Sequence, residues 1–262
     1  MMSRNTFWSI LILLKLGTIH DTCAIEYVDH ISDLTEARAV DSISINTKYL
    51  VFSPTAIREK NLPLLIYLHG AGGGRPPLNR LGMQANALLK GIERFDKGPC
   101  FVVVPQCLPE TKKGDRATWE QADLNLLLDD LLEEFPIDAK RVYLTGNSMG
   151  GYGCWVWGGH SPERLAAVAP VVGGIGPGGP KDVTPDLKNW AKNLAKVPVY
   201  AFAGGKDRVV PAERSESMVA EIRKANGKQA KIKVFPDAGH NARQLVYDSK
   251  EFYDWMFAQS KK

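Results

Sequence analysis

Short runs of hydrophobic residues recur along the whole 262-residue chain. Runs that are rich in Val, Ile, Leu and aromatic residues, or that alternate with polar residues, predict strands. They lie at 42–52, 62–68, 101–105, 142–145, 167–172, 199–203 and 232–235. Between them, apolar residues repeat at helical spacing over 82–95, 123–135, 151–160, 212–226 and 249–259. This alternation predicts an α/β fold, with a mostly parallel sheet covered by helices on both faces.

One segment interrupts this rhythm, because residues 173–180 consist almost entirely of Gly and Pro. Such a composition predicts a flexible loop. Thr184 and Pro185 then fit the N-cap and first position of a short helix. The interruption leaves room for a loop and one short helix, so we expect no large lid and an open active site.

The first 24 residues follow the pattern of a secretory signal peptide. Arg4 precedes an apolar run at 7–14, and small residues lead to a cleavage position after Ala24. The run is too short to span a bilayer as a stable helix. We therefore expect a secreted or periplasmic protein without a stable membrane anchor, whose single domain comprises residues 25–262. An uncleaved anchor or a buried N-terminal helix is the alternative, which Lys15 favours.

The charge of the chain excludes one class of partner. The formal net charge is +4, and the basic residues are scattered without a cluster interleaved with aromatics. We therefore expect no nucleic-acid partner. Outside the predicted signal peptide, Cys100, Cys107 and Cys154 remain, and an odd number argues against a disulfide framework. Buried free thiols are the favoured interpretation.

The strongest chemical motif is Gly-Asn-Ser-Met-Gly at 146–150. It follows the predicted strand 142–145 and precedes a predicted helix, which is the context of a nucleophile elbow. A serine hydroxyl needs a base within hydrogen-bond reach before it can act as a nucleophile. The motif therefore predicts Ser148 as the nucleophile and requires a histidine elsewhere in the chain.

The base and its supporting acid are sought on later loops, since this type of site has the order Ser, acid, His. His240 follows the predicted strand 232–235, whereas His160 closes a helix and fits a packing role better. Asp207 follows the strand 199–203, where it can orient the imidazole. Asp182, Asp186 and Asp237 are the weaker candidates for the acid. The predicted triad is Ser148, Asp207 and His240.

The negative charge that develops on a carbonyl oxygen requires preorganised N–H donors. One donor is predicted at Met149, directly after the nucleophile. The other is expected in His-Gly-Ala-Gly-Gly-Gly at 69–74, with Ala71 as the first choice. Alone, this glycine run could form a phosphate cradle, but no Gly-Lys-Ser/Thr follows it. For Trp119, packing in the core or at the rim is the favoured interpretation, and a substrate contact is the alternative.

Metal and cofactor motifs do not fit the spacing of this chain. There is no His-Glu-x-x-His, no paired Cys-x-x-Cys and no dinucleotide fingerprint. We expect neither a metal nor a cofactor.

These motifs together resemble the α/β-hydrolase serine esterases related to polyhydroxybutyrate depolymerases, feruloyl esterases and the phospholipase/carboxylesterase group, also called prolyl-oligopeptidase-like. The matching stretches lie in the expected order over about residues 60–258, at 68–73, 104–107, 137–153, 205–211 and 239–240. The resemblance implies the same triad. Arg243 departs from the group, in which an aromatic residue often stands three positions after the catalytic histidine, so aromatic specificity is not implied.

The expected activity is hydrolysis of a carboxylic ester through an acyl-enzyme on Ser148. The ester could be linked to a polymer, for example an acetyl or feruloyl group on a polysaccharide. Two alternatives stay open: a peptidase of the prolyl-oligopeptidase type, and a non-catalytic carbohydrate-binding relative. The sequence does not define the oligomeric state.

Overall fold

A computed structural model describes residues 26–55 and 61–262 of the chain. The predicted signal peptide at 1–24 lies outside the described residues. The strands are β1 Tyr27–Asp33, β2 Lys48–Pro54, β3 Leu62–Leu68, β4 Phe101–Val104, β5 Ile137–Asn147, β6 Ala167–Val171, β7 Val199–Gly204 and β8 Ala230–Phe235. The α-helices are α1 Glu36–Asp41, α2 Gly82–Arg94, α3 Gln121–Glu134, α4 Met149–His160, α5 Leu187–Leu194, α6 Ala212–Lys224, α7 Arg243–Tyr247 and α8 Lys250–Phe257.

The described strands form one sheet in the order β1-β2-β4-β3-β5-β6-β7-β8. Strands β3 to β8 are parallel to one another, while β2 runs antiparallel to both β1 and β4. The prediction of a mostly parallel α/β sheet is confirmed. Because the carboxyl ends of parallel strands meet at one edge, the loops after β3, β5, β7 and β8 are placed next to each other.

Two hydrophobic cores lie on opposite faces of the sheet, and alternation along β3 shows why. Leu64, Ile66 and Leu68 belong to the core that α3, α4, α5 and α6 cover. Leu65 and Tyr67 belong to the other core, with α2, α7 and α8. Successive side chains of a strand point to opposite faces, so a strand covered on both faces is apolar throughout.

The strand predicted at 42–52 is wrong in its first half, since β2 begins only at Lys48. The backbone N–H groups of Ile43 and Ser44 instead donate to the carboxylate of Asp123, at 3.0 Å and 2.6 Å. The hydroxyl of Ser44 donates to the same carboxylate at 2.6 Å. The buried carboxylate of Asp123, on helix α3, therefore accepts hydrogen bonds from N–H groups that would pair with a neighbouring strand if this segment were a strand.

Three further details differ from the sequence prediction. Strand β1 and helix α1 were not predicted, because β1 is an exposed edge strand with no buried face and α1 buries none of its residues. Strand β5 is longer than the predicted 142–145, since it starts at Ile137. The helix expected at Thr184 begins at Leu187 instead, and the Thr184 hydroxyl accepts a hydrogen bond from Asp186 N.

The Gly/Pro segment is more ordered than its composition suggests. Ile175 pairs with Val183 in an isolated parallel bridge, and Thr184 N donates to Ile175 O at 2.8 Å. The chain therefore folds back on itself after β6 and forms a fixed wall at the carboxyl edge of the sheet. No helix within 26–55 and 61–262 has the length and apolar character needed to cross a bilayer.

Candidate active site

Ser148 lies at the tight turn between β5 and α4, in a backbone conformation that residues other than glycine rarely adopt. Its φ is +58° and its ψ is −116°. The turn is possible because Gly150 has no side chain: a Cβ there would lie 1.9 Å from Leu68 O. The turn is held by Ser148 N, which donates to Val171 O at 2.9 Å. A strained serine presented between strand and helix is the geometry of a nucleophile elbow.

The three predicted triad residues are brought together by the loops after β5, β7 and β8. Ser148 Oγ donates to His240 Nε2 at 2.9 Å, and His240 Nδ1–H donates to Asp207 Oδ2 at 2.8 Å. The Asp207 side chain is fully buried, while that of His240 is 30% exposed. The imidazole can therefore accept the serine proton on one nitrogen while the carboxylate fixes its tautomer through the other.

The carboxylate of Asp207 is itself held in place by the backbone. Its Oδ1 atom accepts hydrogen bonds from Val209 N at 2.8 Å and from Val210 N at 2.9 Å. Because these two donors occupy Oδ1, the other oxygen stays directed at His240. Asp237, a weaker candidate for the acid, is exposed and pairs with Lys206.

Both predicted oxyanion donors lie beside the nucleophile. Met149 is the first residue of α4, and Ala71 is the first residue of a 3₁₀ turn. First-turn N–H groups have no earlier carbonyl within their helix, so they are available to a ligand. Gly70 starts the oxyanion loop, residues 70–74, and a Cβ on Gly70 would lie 3.4 Å from Ser148 Cβ. The two donors can therefore converge on a carbonyl oxygen bound next to Ser148.

His69 fixes the oxyanion loop from below and was not assigned a role by the sequence. Its Nε2 accepts a hydrogen bond from Cys107 N at 3.0 Å, so the ring proton is on Nδ1, which donates to Gly70 O at 2.7 Å. Burial lowers the pKa of His69 to about 4, against the opposing effect of the Gly70 carbonyl. The ring is therefore neutral at neutral pH, as both of its hydrogen bonds require.

Trp119 does not contact the substrate cavity, so the alternative of a substrate contact is wrong. Its side chain is fully buried, and its Nε1–H donates to His69 O at 3.1 Å. The indole also packs edge-on against the His69 ring, with 4.9 Å between centroids. Nothing in the sequence near Trp119 distinguishes this packing from a role at the surface. Trp119 therefore supports His69 and, through it, the oxyanion loop.

A cavity of about 360 Å³ opens directly above Ser148. The loop after β4 contributes Arg116, Ala117 and Thr118 to its wall, and the loop after β7 contributes Val209 and Val210. The remaining lining comes from the oxyanion loop, from α4 and from the Gly/Pro segment after β6. Arg116 is the one charged side chain among these lining residues, and it is exposed. The cavity is thus mainly apolar, with a single cation at its rim.

The other candidate chemistry lies outside this site. Cys100, Cys107 and Cys154 are buried free thiols, as expected, and burial raises the pKa of Cys100 and Cys107 to about 12. His160 lies at the end of α4, where its Nδ1 bonds to Val156 O. Within the part of the chain that the structure describes, no group of three or more His, Cys, Asp or Glu residues is arranged to hold a metal ion.

Comparison with known proteins agrees with this geometry. The family model "Dienelactone hydrolase family" matches residues 111–250, just over half of the chain, including the elbow, Asp207 and His240. The chain belongs to the dienelactone hydrolase family. The sequence-based resemblance to α/β-hydrolase esterases is thereby confirmed at the level of family and fold.

Individual relatives extend the comparison. A Salmonella typhimurium (strain LT2) protein, whose name proposes carboxymethylenebutenolidase activity, is 38% identical over 109 residues, or 39% of this chain and 37% of that protein. A bifunctional acetylxylan esterase/xylanase from Neocallimastix patriciarum is 26% identical over 174 residues, or 66% of this chain and 23% of that protein. The crystal structure of a thermostable esterase superposes with a TM-score of 0.68 and 25% identity, covering 90% of this chain and 63% of that one.

Proposed function

We propose that this protein hydrolyses carboxylic esters through an acyl-enzyme on Ser148. The observation that carries the proposal is the continuous hydrogen-bonded series from Ser148 through His240 to Asp207, beneath an open cavity. Membership in a family named for hydrolysis of a lactone, which is a cyclic ester, supports the same chemistry.

The proposed reaction has two halves, and the same groups act in both. Ser148 Oγ bonds to the ester carbonyl carbon while its proton passes to His240 Nε2, and the carbonyl oxygen takes up negative charge against the N–H groups of Ala71 and Met149. The C–O bond then breaks, and the proton on His240 leaves with the alcohol. Water attacks the acyl-enzyme by the same steps, which releases the acid and restores the serine.

For the substrate we propose esters carried on a larger molecule, such as acetyl or feruloyl groups on a polysaccharide. The cavity is bounded by loops rather than covered by an inserted domain, so a chain on either side of the ester need not enter it. The relative with acetylxylan esterase in its name supports the acetyl case. A polymer-linked ester requires this kind of access.

A lactone that carries a carboxylate is the second candidate, and Arg116 favours it. The guanidinium is the only charged group among the residues that line the cavity, and it can hold a carboxylate by two parallel hydrogen bonds. Arg116→Gln should then raise KM for a carboxylate-bearing ester or lactone about tenfold and leave p-nitrophenyl acetate unchanged. Lys113→Gln, an exposed cation of the same loop, is the matched control.

The proposed function is tested by comparing p-nitrophenyl esters of increasing acyl length, acetylated xylan and peptide p-nitroanilides as substrates. We expect ester hydrolysis that disappears in Ser148→Ala. Faster cleavage of the anilides than of the esters would establish a peptidase instead. Background rates for both wild type and Ser148→Ala on all substrates would leave only a non-catalytic binding role, and equal rates above background would show that Ser148 is not the nucleophile.

We also propose that the protein is exported after cleavage following Ala24. Strand β1 begins at Tyr27, so this cleavage would leave every strand of the sheet intact. Expression with the native N-terminus in a secreting host, followed by N-terminal sequencing, tests the proposal. A mature protein that starts at Ile25 supports it, and an intact Met1 in the cell fraction contradicts it.

A further inference from the structure

A buried hydrogen bond links the strand before the oxyanion loop to the nucleophile elbow. Tyr67, the penultimate residue of β3, is fully buried and donates its hydroxyl proton to Asn147 Oδ1. Asn147 immediately precedes Ser148. Its amide also lies against the start of the oxyanion loop, since a Cβ on Gly70 would be 3.1 Å from Asn147 Nδ2. The Asn147 side chain therefore touches both parts of the site that must be aligned.

The same tyrosine faces the segment that follows His240. Its ring meets the Tyr247 ring edge-on, with 6.0 Å between centroids. Arg243 lies near its hydroxyl: burial raises the pKa of Tyr67 to about 12, and the Arg243 guanidinium opposes that rise. Arg243 is the first residue of helix α7 and stands three positions after His240. Tyr67 thus lies between the elbow and the helix that follows the catalytic histidine.

A second contact fastens the same helix to the strand of the nucleophile. Thr145 Oγ1 donates to Ala169 O at 2.8 Å, so its lone pair is left to accept from the hydroxyl of Tyr247 at 3.1 Å. Thr145 stands three residues before Ser148 on β5. Helix α7 is therefore tied to the strand of the nucleophile through Tyr247 and Thr145.

We propose that Tyr67 is a positioning residue, whose hydroxyl on Asn147 keeps Ser148 in register with His240 and with the oxyanion loop. Neither Tyr67 nor Asn147 lines the cavity, so both act through Ser148 rather than on the substrate. The reacting groups must be held to a fraction of an ångström for efficient attack. The inference rests on the proposed ester hydrolysis, because it assigns a role within that reaction.

Two single substitutions test this role. Tyr67→Phe removes the hydroxyl but keeps the ring, and Asn147→Ala removes the acceptor. The matched control is Tyr143→Phe: this buried tyrosine also lies on the sheet, but its hydroxyl donates to Gln259 O at 2.9 Å. We would measure the melting temperature, kcat and KM on p-nitrophenyl acetate, and the rate at which a fluorophosphonate labels Ser148.

We expect Tyr67→Phe and Asn147→Ala to lower kcat and the labelling rate about tenfold, with KM within about twofold of wild type. Tyr143→Phe should lower the melting temperature as Tyr67→Phe does but keep both rates. The double variant should be no slower than the slower single variant, because the two substitutions remove the same hydrogen bond, between Tyr67 and Asn147. Wild-type rates in Tyr67→Phe, or an equal slowing in Tyr143→Phe, would overturn the proposal.

The labelling assay separates this inference from the proposed function. If wild type is labelled at Ser148 but hydrolyses no ester, the proposed function fails, while the ratio of labelling rates still tests the role of Tyr67. If esters are hydrolysed and that ratio is one, only the positioning role fails.

Discussion

Ser148 Oγ and His240 Nε2 lie 2.9 Å apart although 92 positions separate the two residues along the chain. The parallel sheet accounts for this distance, because β5 and β8 both end at the edge where the loops carrying these residues begin. The contact depends on Asp207, which orients the imidazole from a third loop.

Replacing Asp207 by Asn should nearly abolish turnover while the fold persists. The NH2 group of the introduced asparagine would have to face either His240 Nδ1–H or the N–H groups of Val209 and Val210. In both orientations an N–H donor points at another N–H donor. In the first orientation the imidazole loses its productive tautomer, and in both it loses the negative charge that stabilises its protonated form, so kcat should fall by about 10³ to 10⁴. Steady-state kinetics on p-nitrophenyl acetate measure this loss.

Asp237→Asn is the control for this substitution, because Asp237 lies in the loop of His240 but is exposed and pairs with Lys206 at the surface. It should keep kcat within about twofold, since exposed ion pairs contribute little. If Asp237→Asn slowed the enzyme as much as Asp207→Asn, Asp237 rather than Asp207 would be the acid.

Trp119→Phe should destabilise the protein more than Trp155→Phe does. Both indoles are fully buried, but Trp119 Nε1 donates to His69 O, while Trp155 Nε1 has no partner among the described residues. Both changes shrink the side chain equally, and only the first also leaves a buried carbonyl without its donor. The difference in the free energy of unfolding should be about 2 kcal/mol, measured by urea titration. Equal losses would contradict the support assigned to Trp119.

Alanine should be tolerated at Gly72 but not at its neighbour Gly73. A Cβ on Gly73 would lie 2.3 Å from the His69 ring, whereas a Cβ on Gly72 meets nothing within 4 Å. The ring is held through both of its nitrogens, so the oxyanion loop has to shift in Gly73→Ala. We expect Gly73→Ala to lose about 1–3 kcal/mol of stability and at least about tenfold in kcat, and Gly72→Ala to behave as wild type. Comparable activity of the two variants would show that the loop is not fixed by His69.

Stability should depend on pH through His69. Burial lowers the pKa of this side chain from 6.5 to about 4, so between these values the unfolded chain binds a proton that the folded protein does not. The free energy of unfolding therefore falls as the pH drops from about 7 to 4, and His69 contributes about 3 kcal/mol to that fall.

His69→Gln, which cannot titrate, should be less stable at pH 7 but lose about 3 kcal/mol less than wild type over this pH range. His160→Gln, which changes a histidine at an exposed helix end, provides the control. Parallel stability profiles for wild type and His69→Gln between pH 7 and 4 would contradict the assignment.

More of the site than of the surrounding fold could be predicted from the sequence. The elbow around Ser148 depends on local geometry, and a fixed order of strand ends leads from it to Asp207 and His240. By contrast, the edge strand β1 has neither an apolar run nor a buried face, and pattern alone cannot detect it. This segment is a strand because it pairs with β2 in the folded protein.

Trp119 and Asp123 show why the rest was not predicted. An aromatic residue after a strand is compatible with both core and surface, and only the distant His69 carbonyl decides between them. Likewise, the alternating pattern at 42–52 is compatible with a strand, but the Asp123 carboxylate binds two of its N–H groups. In both cases, a partner more than 45 positions away determines the local structure.

We propose above all that Ser148 is a nucleophile activated by His240. Peptide mapping by mass spectrometry after brief exposure to a fluorophosphonate tests it most directly, in wild type, Ser148→Ala and His240→Gln. We expect one adduct, on Ser148, which is absent from Ser148→Ala and forms far more slowly in His240→Gln. An adduct on another residue, or labelling of His240→Gln at the wild-type rate, would contradict the claim.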